Sequence, residues 1–124
     1  MSANKGERHP FLDDLTEDVE LTSTLLRGSV TGRDNVKRLV AAVGSLYKSQ
    51  TPTFLASVEN RTLLQYRAEL VNGRTIDGVA VIERNADGSV PRVSVTFSPI
   101  DSALSLAARL ASLIEDELGR DILL

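Results

Sequence analysis

The sequence predicts an α+β domain, a meander of strands packed against helices. Three observations carry this reading. Four short segments with strand-like alternation, joined by turns, run from residue 52 to residue 98. Before them, Val36, Leu39, Val40, Val43, Leu46 and Tyr47 fall on one stripe at helical spacing. After them, residues 101–118 repeat apolar positions with the same helical period.

Residues 1–9 are polar and read as a disordered tail, with residues 10–124 forming one domain. Pro10 suits the first turn of a short helix over residues 10–15 that carries Phe11, Leu12 and Leu15. Val19, Leu21 and Ser23 then alternate with Glu20, Thr22 and Thr24, a first strand. Gly28 and Gly32 bracket a connecting turn. A helix starts near Gly32-Arg33-Asp34, where Asp34 favours the positive end of the helix dipole, and Gln50-Thr51-Pro52 ends it.

Within the meander, Asn72-Gly73 predicts a two-residue type I′ hairpin turn, which needs positive φ at both positions. That turn sets Ala68 opposite Asp77. One face then carries Leu64, Tyr66, Ala68 and Leu70 with Thr75, Asp77, Val79 and Val81. A three-residue loop at Asn60-Arg61-Thr62 adds Phe54, Ala56 and Val58 to that face. A five-residue loop over residues 85–89 sets Phe97 opposite Asp77 and brings Val93 and Val95 alongside. On this register Asp77 is a carboxylate on an apolar, pocket-lining face. A slip of one residue would turn it outward.

Asp101 or Ser102 caps the last helix, and Gly119 stops it. Its apolar pattern is wide. Leu104, Ala107, Ala108, Ala111 and Ile114 make one stripe, and Leu106, Leu110 and Leu113 extend it. Such a helix is expected to be buried on more than one side. Ile122-Leu123-Leu124 is an apolar tail that should pack somewhere.

At 124 residues the chain can bury a core as a single domain. It is 42% hydrophobic and 25% charged with a net charge of −3, a balance that argues against nucleic acid as partner. Arg33, Lys37 and Arg38 cluster, but Asp34 sits among them, as on a solvated helix face. There is no cysteine, so no disulfide framework or thiolate chemistry. A single histidine, His9, argues against a histidine-rich metal site, and no cofactor is indicated. No apolar run approaches the ~18 residues of a membrane span, and the polar start lacks the apolar segment of a signal peptide. The expectation is a cytoplasmic protein.

The order short helix, strand, Gly-Arg-Asp helix and meander resembles the nuclear transport factor two-like superfamily, particularly its SnoaL-like and ketosteroid-isomerase-like branches. The matching stretches are Phe11-Leu12-Asp13-Asp14-Leu15-Thr16-Glu17-Asp18-Val19, Gly32-Arg33-Asp34-Asn35-Val36, Thr75-Ile76-Asp77-Gly78-Val79 and Asp87-Gly88-Ser89-Val90. The resemblance implies a cystatin-like cone, a curved sheet wrapped around helices with an internal cavity, and a homodimer formed through the convex side of the sheet. It puts Asp77 at the position of a hydrogen-bond-donating acid. The general-base position falls at about Ser23, which cannot serve as a comparable base. The oxyanion-binding tyrosine belongs to an N-terminal helix that this chain lacks, so steroid isomerisation is not implied. Residues 101–118 are expected to replace that missing helix as cavity wall, within one subunit or across a dimer.

The functional expectation is binding of a small apolar or carbonyl-bearing molecule, with acid–base chemistry of an isomerase or cyclase kind. Asp77 would be the acid and Tyr66 its partner, in a pocket shaped by Phe54, Ala56, Ala68, Val79, Val95, Phe97 and Ser23. Burial would raise the pKa of such an acid and keep it protonated. The plain alternative for Asp77 is a structural carboxylate held by Tyr66, by a backbone amide, or by Arg74 or Arg92. The alternative for the whole chain is a non-catalytic homodimeric interaction module whose cavity is filled by its own side chains.

Overall fold

The structure is a computed structural model and describes residues 10–118. The tail over residues 1–9 with His9, the Gly119 stop and the Ile122-Leu123-Leu124 segment lie outside the described residues. A 3-10 turn, Pro10–Asp13, leads into β1 (Leu15–Ser23) and β2 (Ser29–Thr31). Helix α1 (Arg33–Ser45) follows, then β3 (Tyr47–Val58), β4 (Arg61–Leu70), β5 (Thr75–Glu83), β6 (Val90–Ser98) and α2 (Ile100–Leu118). The six strands form one mixed, curved sheet in the order β2-β1-β6-β5-β4-β3. The meander β3 to β6 is antiparallel throughout, and β1 joins it parallel to β6. The inner face packs on both helices and holds the core, where Val19, Leu70, Ile76, Val93, Leu106 and Leu110 are fully buried.

The α1–β3 boundary falls earlier than expected. The helix ends at Ser45, and Tyr47 opens β3 opposite Leu70. Gly44 and Ser45 are poor helix formers, so little opposes the exit. The Val71 amide donates to the Leu46 carbonyl at 2.9 Å, so the β4–β5 turn captures the chain where it leaves the helix. The short strand β2 occupies the space between Gly28 and Gly32 that reads as a plain turn.

The β4–β5 hairpin corrects the register. Its loop has three residues, Val71-Asn72-Gly73, with Leu70 and Arg74 closing it through a 2.7 Å bond. Only Gly73 has positive φ, at 91°, which fits a type I turn followed by a glycine bulge. The Asn72 side chain stabilises this turn twice. Its Oδ1 accepts from the Arg74 amide at 3.0 Å, and its Nδ2 donates to Ser105 Oγ of α2 at 3.1 Å. The extra residue moves the pairing by one, so Asp77 lies opposite Arg67 rather than Ala68. Ile76, Gly78, Ala80 and Ile82 therefore face the core, while Asp77, Val79 and Val81 face outward.

The β3–β4 loop has two residues, Glu59-Asn60, because Val58 pairs with Arg61. Extra residues at Lys48 and Thr53 bulge β3 and reset its faces. Phe54 lands opposite Gln65 and Ala56 opposite Leu63, so Phe54, Ala56 and Val58 lie on the outer face. In the β5–β6 pair, Phe97 stands opposite Gly78 and Ser98 opposite Asp77.

Helix α2 packs within the same chain, on α1, β5 and β6. Ala103, Leu106, Ala107, Leu110 and Ile114 form its buried stripe. Leu104 and Leu113 are half exposed, so the helix is buried on one side rather than two. Among the described residues, no helix is long and apolar enough to cross a membrane.

Candidate functional site

The inner face of the sheet, α1 and the 3-10 turn enclose a cavity of about 80 Å³. One water needs roughly 10–15 Å³ on this measure, so the space admits a small organic group. Its floor is formed by buried side chains of the 3-10 turn, α1 and five of the six strands, among them Phe11, Leu21, Leu39, Val93 and Phe97. The partly exposed Ser23, Val43, Gln50 and Val95 mark its open side. None of the described side chains of α2 lines it, and the wall expected from residues 101–118 is supplied among the described residues by α1 and Phe11. The physical reason lies in the Asn72–Ser105 bond and the α2 contacts with β5 and β6, which seat α2 on the Leu70–Ile76 end of the sheet.

The polar groups of this cavity are few. Tyr47 and Tyr66 both line it, with their hydroxyls 3.0 Å apart, and Ser23 and Gln50 add two neutral side chains. The tyrosine rings are tilted by 58° with centroids 6.1 Å apart. Tyr66 projects from β4 directly over Gly78 of β5. A Cβ added at Gly78 would stand 2.5 Å from Cζ of Tyr66 and 2.8 Å from its hydroxyl oxygen. The glycine is therefore what lets the ring lie against the strand.

Burial pushes both phenols above their ordinary pKa. For Tyr47 the neighbouring Tyr66 raises it further, whereas for Tyr66 the bond to Tyr47 offsets part of the rise. Both groups are neutral at physiological pH. Either hydroxyl can donate to the other, and the one that accepts keeps its own proton. The pair thus presents one O–H donor to an apolar space. Among the described residues no carboxylate or histidine lines the cavity, so they supply a hydrogen-bond donor without a strong base.

The expected site residues separate into three groups. Tyr66, Ser23, Val95 and Phe97 line the cavity, while Ala68 is buried without lining it. Phe54, Ala56 and Val79 lie on the other side of the sheet. So does Asp77, whose placement in the pocket is corrected by the one-residue change of register. Its side chain is 39% exposed, and it accepts from Arg67 Nε at 2.8 Å and Nη2 at 3.5 Å. The partner is neither Arg74, which pairs with Asp101, nor Arg92, which pairs with Glu20. Turning outward leaves the carboxylate hydrated and spares the cost of burying a charge. Tyr47 is the residue that sequence reasoning missed, because the apolar stripe of α1 absorbs it. A helix break at Gly44-Ser45 and a glycine placed to face an aromatic residue were the available signals. Among the described residues, no group of three or more acidic, histidine or cysteine side chains could hold a metal ion.

No protein-family profile matches the chain, and no curated protein matches its sequence. Solved structures do resemble it. A cystatin-like protein from Silicibacter pomeroyi superposes with a TM-score of 0.81 at 19% identity, covering 91% of this chain and 79% of its own. A steroid delta-isomerase from Pseudomonas aeruginosa gives 0.72 at 19% identity, covering 85% and 80%. An NTF2-like protein of unknown function from Mesorhizobium loti gives 0.63 at 14% identity, covering 72% and 75%. The likeness shows the fold, a cystatin-like curved sheet of the kind also seen in NTF2-like proteins.

Proposed function

We propose that the protein binds a small, mostly apolar molecule carrying a carbonyl or comparable acceptor oxygen in the cavity, and that it does so as a homodimer. The observation that carries this reading is the neutral Tyr47–Tyr66 pair inside an otherwise apolar hollow. A phenol in low dielectric is a strong donor to an acceptor that arrives without water. Among the described residues no side chain fills this space of about 80 Å³, which supports a hollow over one that they plug themselves. The carboxylic acid invoked for proton transfer is outside, so the reading is one of binding and carbonyl polarisation. The protein of similar fold from Pseudomonas aeruginosa is named a steroid delta-isomerase, and a steroid is a mostly apolar small molecule, which fits the proposed ligand class.

The chain has two tyrosines and no tryptophan, so tyrosine fluorescence reports on the cavity directly. Titration with cyclohexanone should shift that emission, and cyclohexane should bind more weakly. Tyr47→Phe combined with Tyr66→Phe keeps the shape but should remove most of the preference for the ketone, about tenfold for one hydrogen bond of ~1.4 kcal/mol, because either hydroxyl left alone can still donate; titration calorimetry reads this variant, which has no tyrosine left. Asp77→Asn should leave both affinities unchanged. Equal binding of ketone and hydrocarbon, or sensitivity to Asp77→Asn alone, would overturn the reading.

A further inference from the structure

The distal half of β3 is exposed on both faces and along its free edge. β3 is the edge strand of the sheet, and Phe54, Leu55 and Val58 are 50%, 68% and 69% exposed within five residues. Edge strands are normally protected by charge, by shortness or by a covering element. The other edge of this sheet is β2, which has only three residues. In β3, Lys48 is the single charged residue, and residues 49–58 carry none. Pro52 and the bulge at Thr53 end the regular edge on one side, and the Glu59 turn ends it on the other. Over residues 53–58 no described strand pairs with the outer edge, and four of the six side chains, Phe54, Leu55, Ala56 and Val58, are apolar.

We propose that this edge pairs with the same edge of a second copy, β3 antiparallel to β3 about a two-fold axis at Ala56. The proposal rests on the homodimer of the preceding reading and assigns its surface. The pattern of the strand selects the register. Phe54, Ala56 and Val58 share the outer face, since they stand opposite Gln65, Leu63 and Arg61. An axis at Ala56 sets Phe54 against Val58 of the second copy, Ala56 against Ala56, and Val58 against Phe54. Directly opposed side chains are the unit of sheet stabilisation, and here every outer-face pair is apolar. On the inner face, Leu55 meets Ser57. No like charges meet anywhere along the segment. Another protein's extended peptide would satisfy the edge as well, but the self-complementary order favours a second copy.

The test is the oligomeric state in solution, measured by light scattering and native mass spectrometry over a concentration series. The wild-type chain should form a dimer. Ala56→Glu places two carboxylates face to face on the axis and should give a monomer with an unchanged far-ultraviolet spectrum. Mixing Ala56→Glu with Ala56→Lys should restore a mixed dimer, which only an axis at Ala56 predicts. If Ala56→Glu does not fold, Val58→Lys, at a mostly exposed position, takes its place and should also dissociate the dimer. A dimer that survives these changes but is lost in Val79→Lys belongs to the outer face away from the edge, which overturns this assignment and leaves the homodimer standing. A dimer that survives all of them, or one lost in Ala56→Glu but not restored by mixing, overturns the edge pairing. A wild-type chain that stays monomeric at every concentration overturns both the pairing and the homodimer.

Discussion

Tyr66 and Gly78 show how a single missing side chain positions a polar group. A tyrosine on the inner face of a strand needs room for its ring, and the directly opposed residue on the next strand provides it. Glycine normally weakens a strand, so its presence there reflects a close approach. Gly78→Ala should therefore destabilise the fold by about 1–3 kcal/mol, as overpacking does, although alanine is the better strand residue. Chemical denaturation of the variant tests this. Combining it with Tyr66→Leu should recover most of the loss, because the two positions share one space. Asp77 illustrates the opposite case. It has an outward partner in Arg67, whose guanidinium is held above its usual pKa by the hydrogen bond and charge of that carboxylate. The residue that looked most chemical in the sequence is a surface ion pair.

At the scale of elements, turns and bulges decide which face of each strand is buried. β5 carries apolar residues on both faces, Ile76, Ala80 and Ile82 on one and Val79 and Val81 on the other. Alternation alone does not choose between them, and the three-residue turn at Val71-Asn72-Gly73 does. Its anchor, the Asn72–Ser105 bond, comes from α2, more than thirty residues away in sequence. Helix α2 likewise looks apolar all around, yet only one stripe meets the core. Leu110→Ala, at a position with no exposure, should cost about 2–5 kcal/mol through the cavity it leaves. Leu113→Ala, half exposed, should change stability by less than about 0.5 kcal/mol. Paired melting curves of the two variants separate a one-sided from a two-sided helix, since equal losses would require both faces to be packed.

For the molecule as a whole, the cavity exists because a curved sheet and α1 cannot close on each other completely, and Phe11 of the 3-10 turn covers part of the gap. The two phenols inside it link folding to alkaline pH. Their folded-state pKa lies above the ordinary 10.0, so above that pH the unfolded chain releases protons that the folded chain retains. Their contribution to stability is complete below pH 10 and is lost as the pH rises further. Tyrosinate absorbance should therefore stay absent in the folded protein at pH 10 and appear only together with loss of far-ultraviolet structure. Half-titration near pH 10 with the fold intact would contradict the buried pair.

The kinds of element and their order were legible in the chain: period-two alternation for the strands, period 3.6 for the helices, Pro and Gly at the breaks. Those signals are local, and they also placed Tyr66, Val95 and Phe97 on one face, while Ser23 came to the pocket through the family resemblance. The tertiary structure decided what depends on a distant partner. Leu70 drew Tyr47 out of the helical stripe and into a strand, and Ser105 steadied the turn that sent Asp77 outward. Those two contacts made the cavity a site of paired hydroxyls rather than of an acid. A one-residue shift reverses every side chain of a strand, and where both faces are apolar only packing against the rest of the molecule selects between them.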